Sequence, residues 1–266
     1  DILKKKINSN TVAVVLTNMF NSYDLSIELQ QICKINNIYL IEDNAIYFDN
    51  YKTLEKEKKY SGSIGDFSLY SFNIMKNISA LYGGAVTSND REFNLYGEKL
   101  LLTFGNFPKI ILCKQMLIFF ILKILSINLL YRFFFFSIIK FMHNNNIRYM
   151  LELFYPSLKF KIKEFPKYYF TNISFLSKKM IFYQLKNLEK RKENHEKRKS
   201  NNIYYFKKFE KLEIDAVRLL NISDFDYQNF IDFPILVKSR EKLNRFLLKK
   251  GIETRLYYYK NCEKIF

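Results

Sequence analysis

The sequence has no tryptophan, only three cysteines, and far fewer acids than bases. Each shortage removes a class of protein. Cys33, Cys113 and Cys262 are odd in number and far apart, so they offer neither a disulfide framework nor metal-ligand spacing. That usage fits a reducing compartment, and no metal is expected. Lys and Arg number 43 against 26 Asp and Glu, a net charge of +17 over 266 residues. Such an excess suits an anionic partner or, equally, a lysine-rich solvated surface. Long apolar runs are missing too. Residues 107–141 are strongly apolar, yet Lys114, Lys123, Arg132 and Lys140 interrupt them, and the longest uncharged stretches are 115–122 and 124–131. A spanning helix needs ~20 mostly apolar residues, which excludes a simple membrane span. Helices lying in a bilayer interface with their lysines reaching the headgroups satisfy the pattern. A hydrophobic hairpin packed on the protein or on a dimer partner satisfies it as well.

What is present begins with two buried strands. Residues 11–16 (Thr-Val-Ala-Val-Val-Leu) and 38–41 (Ile-Tyr-Leu-Ile) are continuously apolar, as in a parallel sheet covered on both faces. Between them Leu25, Leu29, Ile32, Cys33 and Ile35 recur at helical spacing, with a turn at 21–24 before and Asn36-Asn37 after. This strand–helix–strand unit implies adjacent parallel strands with ligands beyond their carboxyl ends, where Asp43 lies. Residues 49–61 are charged and read as a surface loop; 66–72 and 85–88 read as further strands, and Asp90 caps a helix to about Leu102. Past the apolar stretch, Pro156 and Pro166 bracket an irregular connection. A long helix is predicted over 174–212, a strand over 230–237 with Pro234 at an edge, and a helix over 240–250 between Ser239 and Gly251. The charged run 189–199 reads as a solvated helix face, and no nucleic-acid partner is expected.

Four pieces in order carry the chemistry: Glu42-Asp43-Asn44-Ala45, Gly65-Asp66, Ser71-Phe72 followed by Lys76, and Gly83-Gly84. Each has an ordinary explanation, since an acid after a strand caps helices, a glycine pair makes a turn, and one lysine among many is surface. Their order and spacing resemble the DegT/DnrJ/EryC1/StrS family of sugar aminotransferases that use pyridoxal phosphate. The resemblance covers roughly residues 10–104 and, more weakly, 174–259. It implies an α/β fold of type I among pyridoxal-phosphate transferases: a mostly parallel sheet in an αβα sandwich, a hydrophobic helical insert, and a small C-terminal α+β domain. The expected division is 1–104 for the large domain's later part, 105–166 for the insert and 167–266 for the small domain.

The same resemblance assigns roles. Lys76 is the expected Schiff-base lysine and proton shuttle, Asp43 the partner of the pyridine nitrogen, and Ser71 a donor to the cofactor phosphate. Ala45 leaves room at the ring's face, and Arg255 is a weak candidate for the substrate phosphate. Related dehydratases carry His in place of the lysine, so Lys76 points to amine transfer. The implied reaction moves an amino group, from glutamate by expectation, onto a nucleotide-linked keto sugar for surface polysaccharide. A cytoplasmic homodimer follows, with peripheral contact to anionic membrane through 107–141 at its inner face. Departures from the pattern stand at Ile46, where Gln or His is usual, and at Asn18-Met19-Phe20-Asn21 in place of His-x-Tyr-Gly. The family's upstream half, with its phosphate-binding turn, is absent, so a fragment is expected. The alternative is a catalytically impaired, membrane-associated relative that kept the fold.

Overall fold

The computed structural model describes residues 2–19, 23–46, 48, 51–54, 57–74, 76–145, 147, 164–211, 217–219 and 231–254. It divides into two compact units. The first comprises Asp1–Gln115, Lys167–Glu213 and Leu220–Pro234; the second comprises Met116–Pro166, Ile214–Leu219 and Ile235–Phe266.

The first unit opens with helix α1 (Ile2–Lys6), strand β1 (Ala13–Thr17), helix α2 (Tyr23–Ile35) and strand β2 (Tyr39–Asp43). Then come β3 (Tyr51–Leu54), β4 (Glu57–Tyr60), β5 (Phe67–Ser71), β6 (Gly84–Ser88) and α3 (Arg91–Thr103). Its main sheet has the order β1-β2-β5-β6. The first three strands are parallel and β6 is antiparallel to β5, so the expected mostly parallel α/β sheet is present. α2 packs Cys33 against Leu16, Leu40 and Ile64, with Ile27 and Leu29 beside them. It ends where the Asn pair stands. Asn37 adopts φ +53°, its N–H donates to the Lys34 carbonyl at 3.2 Å, and the Ile38 N–H donates to the Cys33 carbonyl at 3.0 Å. This is a left-handed C-cap that Asn tolerates better than most side chains.

The charged stretch expected to be a loop is instead a hairpin, β3 against β4, in register Tyr51↔Tyr60 to Leu54↔Glu57. Its lysines hid it: Lys52 and Lys59 lie directly across from each other, and each finds an acid, Asp24 at 3.3 Å and Glu57 at 2.6 Å. After α3 come β7 (Gly105–Asn106) and α4 (Lys109–Leu125). Farther on are a 3₁₀ turn (Lys167–Phe170), β8 (Thr171–Asn172), α7 (Phe175–Lys186) and α8 (Leu188–Glu210). The single long helix expected over 174–212 is thus interrupted at Asn187, whose backbone leaves the helical region at φ −98°, ψ 55°. Ser174 caps α7 by accepting from the Ser177 N–H at 3.1 Å.

The second unit contains the later part of α4, α5 (Asn128–Leu130), a π-helical turn (Tyr131–Phe135) and α6 (Phe136–Asn144). It also holds strands β9 (Val217–Leu219) and β10 (Ile235–Val237) and helix α9 (Arg240–Lys249). β9 and β10 pair antiparallel. The strand expected from residue 230 begins only after Pro234, which has no N–H to give a ladder. Ile139 and Met142 of α6 bury against Leu248 of α9, with Phe135, Phe136 and Ile147 around them. The Tyr131 hydroxyl donates to Glu253; burial first, and that contact second, push its pKa well above the tyrosine norm. Among the described residues no single helix is long and apolar enough to cross a membrane. Lys109–Leu125 and Asn128–Asn144 qualify only as a pair, and they are bent by 77°.

Candidate active site

The carboxyl ends of the parallel strands gather the expected residues. In register, Thr17 of β1 lies beside Asp43 of β2, Asp43 lies beside Leu69 of β5, and Ser71 is the last residue of β5, across from Gly84. The Asp43 Oδ1 accepts from the Ala45 N–H at 2.9 Å, which fixes the carboxylate at the strand's end. Its other oxygen has no hydrogen-bond partner among the described residues, and neither has the Ser71 hydroxyl. Lys76 follows on the loop between β5 and β6 and is half-buried. Burial holds its amine below the ordinary lysine value, and the Asp43 charge pulls it partway back. The two side chains therefore sense each other's charge without ion-pair contact. Arg255 lies outside the described residues.

Side-chain amides hold the lysine loop on both flanks. Next to Lys76, Asn77 accepts from the Phe48 N–H at 2.9 Å and donates to the Phe48 carbonyl at 2.6 Å. It thereby ties the loop after β5 to the segment that follows Asp43. Gln184 of α7 does the same to Ser79, accepting from its N–H at 2.9 Å and donating to its carbonyl at 2.7 Å. At the loop's base the Ala80 N–H donates to Phe72 at 2.8 Å and the Phe72 N–H to Gly83 at 2.9 Å. Gly83 has φ +148°, a backbone conformation that L side chains rarely adopt, and a Cβ there would lie 2.5 Å from the Ile173 Cδ1, the movable end of that side chain, so it is the backbone that favours glycine here.

Beneath Asp43 lies a carboxylate that strand periodicity puts on the opposite face. Leu40, Glu42 and Asn44 are all buried, whereas Ile41 and Asp43 point the other way. Glu42 is fully buried and accepts four hydrogen bonds: from the Asn18 Nδ2 at 3.2 Å and from the N–H groups of Gly62, Ile64 and Gly65 at 3.0, 2.9 and 2.7 Å. Asn18, the departure from the family's His, also donates to the Asn44 Oδ1 at 2.9 Å and to Ser61 at 3.1 Å. Asp66 of the Gly-Asp pair accepts from the Leu40 N–H at 2.7 Å, a latch between β5 and β2. Glu42, Asn77, Gln184 and Asn18 were not marked as organising residues by the sequence pattern. For Glu42 a signal existed, because an acid two residues from a buried Leu on one strand face demands donors.

A half-buried amine of lowered basicity, a carboxylate oxygen and a hydroxyl without partners among the described residues are compatible with the aldehyde, ring nitrogen and phosphate of pyridoxal phosphate, the cofactor that the resemblance implies.

Comparison with known proteins agrees. The model of the DegT/DnrJ/EryC1/StrS aminotransferase family matches residues 1–104 and 174–265. GDP-perosamine synthase of Escherichia coli O157:H7 is 29% identical over 89 residues, 34% of this chain and 23% of that protein. Among solved structures, E. coli GDP-4-keto-6-deoxy-D-mannose-3-dehydratase with hydrated pyridoxal phosphate superposes with TM-score 0.58 at 17% identity. The match covers 98% of this chain and 57% of the other. Helicobacter pylori PseC, an aminotransferase of pseudoaminic acid biosynthesis, gives TM-score 0.55 at 18% identity over 97% and 55%. At these identities the structural likeness shows the fold. The chain spans little more than half of those structures and under a quarter of the synthase.

Proposed function

Because the chain belongs to the DegT/DnrJ/EryC1/StrS aminotransferase family, we propose that the whole protein moves an amino group onto a nucleotide-linked keto sugar. The donor is an amino acid, glutamate by expectation. The observation that carries this reading is Lys76, half-buried beyond the sheet's carboxyl edge with burial lowering its basicity, inside the field of Asp43. Pyridoxal phosphate, when bound, supplies an aldehyde that captures amines and a ring that takes up electrons. The residues do the rest. Lys76 presents an amine that is unprotonated near neutrality more often than a surface lysine, as a nucleophile and proton carrier must be. Asp43 offers its open oxygen to a protonated ring nitrogen and keeps the proton there. Ser71 gives its hydroxyl to a phosphate, and Ala45 leaves space above the ring. Arg255 is assigned to the substrate's phosphate.

The names of the relatives support a GDP- or other nucleotide-linked sugar as substrate. We assign residues 1–104 to the large domain, 105–166 to an insert that the family model passes over, and 167–266 to the small domain. The product's use in surface polysaccharide, a homodimeric state and a cytoplasmic site with peripheral contact to the inner membrane through 107–141 complete the reading. The test uses protein expressed from its complete gene with added cofactor, ¹⁵N-glutamate and GDP- or TDP-linked 4-keto sugars. Label in the sugar product is expected. Cofactor-loaded protein that transfers nothing to any of these sugars would overturn the substrate class.

A further inference from the structure

The apolar helix pair leaves much of its surface bare: α6 buries one face, whereas no residue of α4 is buried. In α6, Ile139 and Met142 are buried against α9, whereas Ile138 and Phe141, and Phe134 of the preceding π-helical turn, are exposed. In α4, Leu117, Phe120, Ile121 and Ile124 stand 60, 61, 44 and 39% exposed at i, i+3, i+4, i+7, a single apolar stripe. At about 100° per residue, Lys114 and Lys123 fall on opposite flanks of that stripe. They cannot form one polar face, but they can reach the same headgroup layer from either side.

Charge names the occupant. Between Glu98 and Glu152 every charged side chain is a cation: Lys99, Lys109, Lys114, Lys123, Arg132, Lys140 and Arg148. A face meant for a second copy of this basic chain would bring like charges together around its rim, whereas an anionic surface complements them. Geometry sets the mode. Each arm is 17 residues, about 25 Å by helical rise, short of the ~30 Å hydrocarbon core. Two arms meeting at a 77° bend can lie flat together in one plane.

We propose that residues 109–144 form an in-plane, broken-helix anchor for a bilayer containing anionic phospholipid, with the exposed Leu, Ile and Phe side chains in the acyl boundary and the flanking cations among the phosphates. The proposal rests on the membrane-contact part of the functional reading and not on the transfer chemistry. Each cation near an anionic surface contributes roughly a fivefold gain in partitioning.

The complete protein is floated with phosphatidylcholine vesicles with and without phosphatidylglycerol. It is expected to rise with the anionic vesicles, to stay down with phosphatidylcholine alone, and to be weakened by about 1 M salt, where screening acts within ~3 Å. Lys114→Gln with Lys123→Gln should lower partitioning roughly 25-fold, and Leu117→Ser with Phe120→Ser should abolish it at an unchanged circular dichroism spectrum. Equal flotation with both vesicles overturns the charge-selected anchor while leaving membrane contact standing. Protein that stays down with both overturns anchor and contact together. If the serine variant then also converts a dimer to a monomer in light scattering, the face belongs to a second copy. Amine transfer measured without vesicles is independent of all these outcomes.

Discussion

Replacing Asn77 with Ala isolates what holds the lysine loop against the segment after Asp43. The change removes two hydrogen bonds to one backbone unit, Phe48 N–H and C=O. At a net ~0.5–1.5 kcal/mol each, the loss is about 1–3 kcal/mol, with the upper end reached if Phe48 is left dry. Because Phe48 and Asn77 are only half-buried, water can reach part of the site, and about 2 kcal/mol is the working value. That corresponds to a roughly 30-fold rise in local opening and a melting point lower by roughly 4–8 °C. Hydrogen exchange read by mass spectrometry around Phe48 and Ser79 measures the first, calorimetry the second. Asn77→Asp adds a sign. Its carboxylate would still accept from the Phe48 N–H but would face the Phe48 carbonyl, so the folded state favours the protonated acid and raises its pKa. The variant's stability is then fully present below the unfolded aspartate value of about 3.9 and is lost as pH rises through the higher folded value. Exchange around Phe48 unchanged within about twofold in Asn77→Ala would refute the clamp.

Three further outcomes follow from the same contacts. Asp43→Asn removes the charge that raises the Lys76 pKa, so labelling of Lys76 by an amine-reactive reagent should begin at lower pH; a profile shifted upward contradicts the arrangement. Glu42→Gln turns an NH₂ toward two N–H donors whichever way it sits, and should cost roughly 3 kcal/mol or more in chemical denaturation. Gly83→Ala should cost about 1–3 kcal/mol through strained backbone and the clash with Ile173. Ile173→Val, which removes the clashing Cδ1, should recover part of the loss in the same melt.

The parallel strands were legible because β1 and β2 begin as apolar runs, and the candidate site because Asp43, Ser71 and Lys76 fall in a recognisable order along the sequence. The amide clamps were not. Asn77 and Phe48 are 29 residues apart, and Gln184 and Ser79 are 105 apart. Their partners are backbone groups, which leave no mark in side-chain pattern. The β3–β4 hairpin was hidden by charge, since lysines depress strand expectation while tolerating an exposed ribbon. The break at Asn187 was hidden by good helix formers on both sides, with neither Gly nor Pro to announce it. In the apolar stretch, amphipathic helices could be read from composition. Which stripe the fold covers depended on Leu248, over a hundred residues downstream of α6.

Lys76 is the amine proposed to meet the cofactor's aldehyde, and reductive trapping reads that directly. Complete protein incubated with pyridoxal phosphate, reduced with borohydride and digested should carry a pyridoxyl group on the peptide containing Lys76. Lys76→Ala should lose both that mass and the visible absorbance of the bound cofactor. Pyridoxyl label spread over surface lysines, or undiminished in Lys76→Ala, would contradict the role proposed for Lys76.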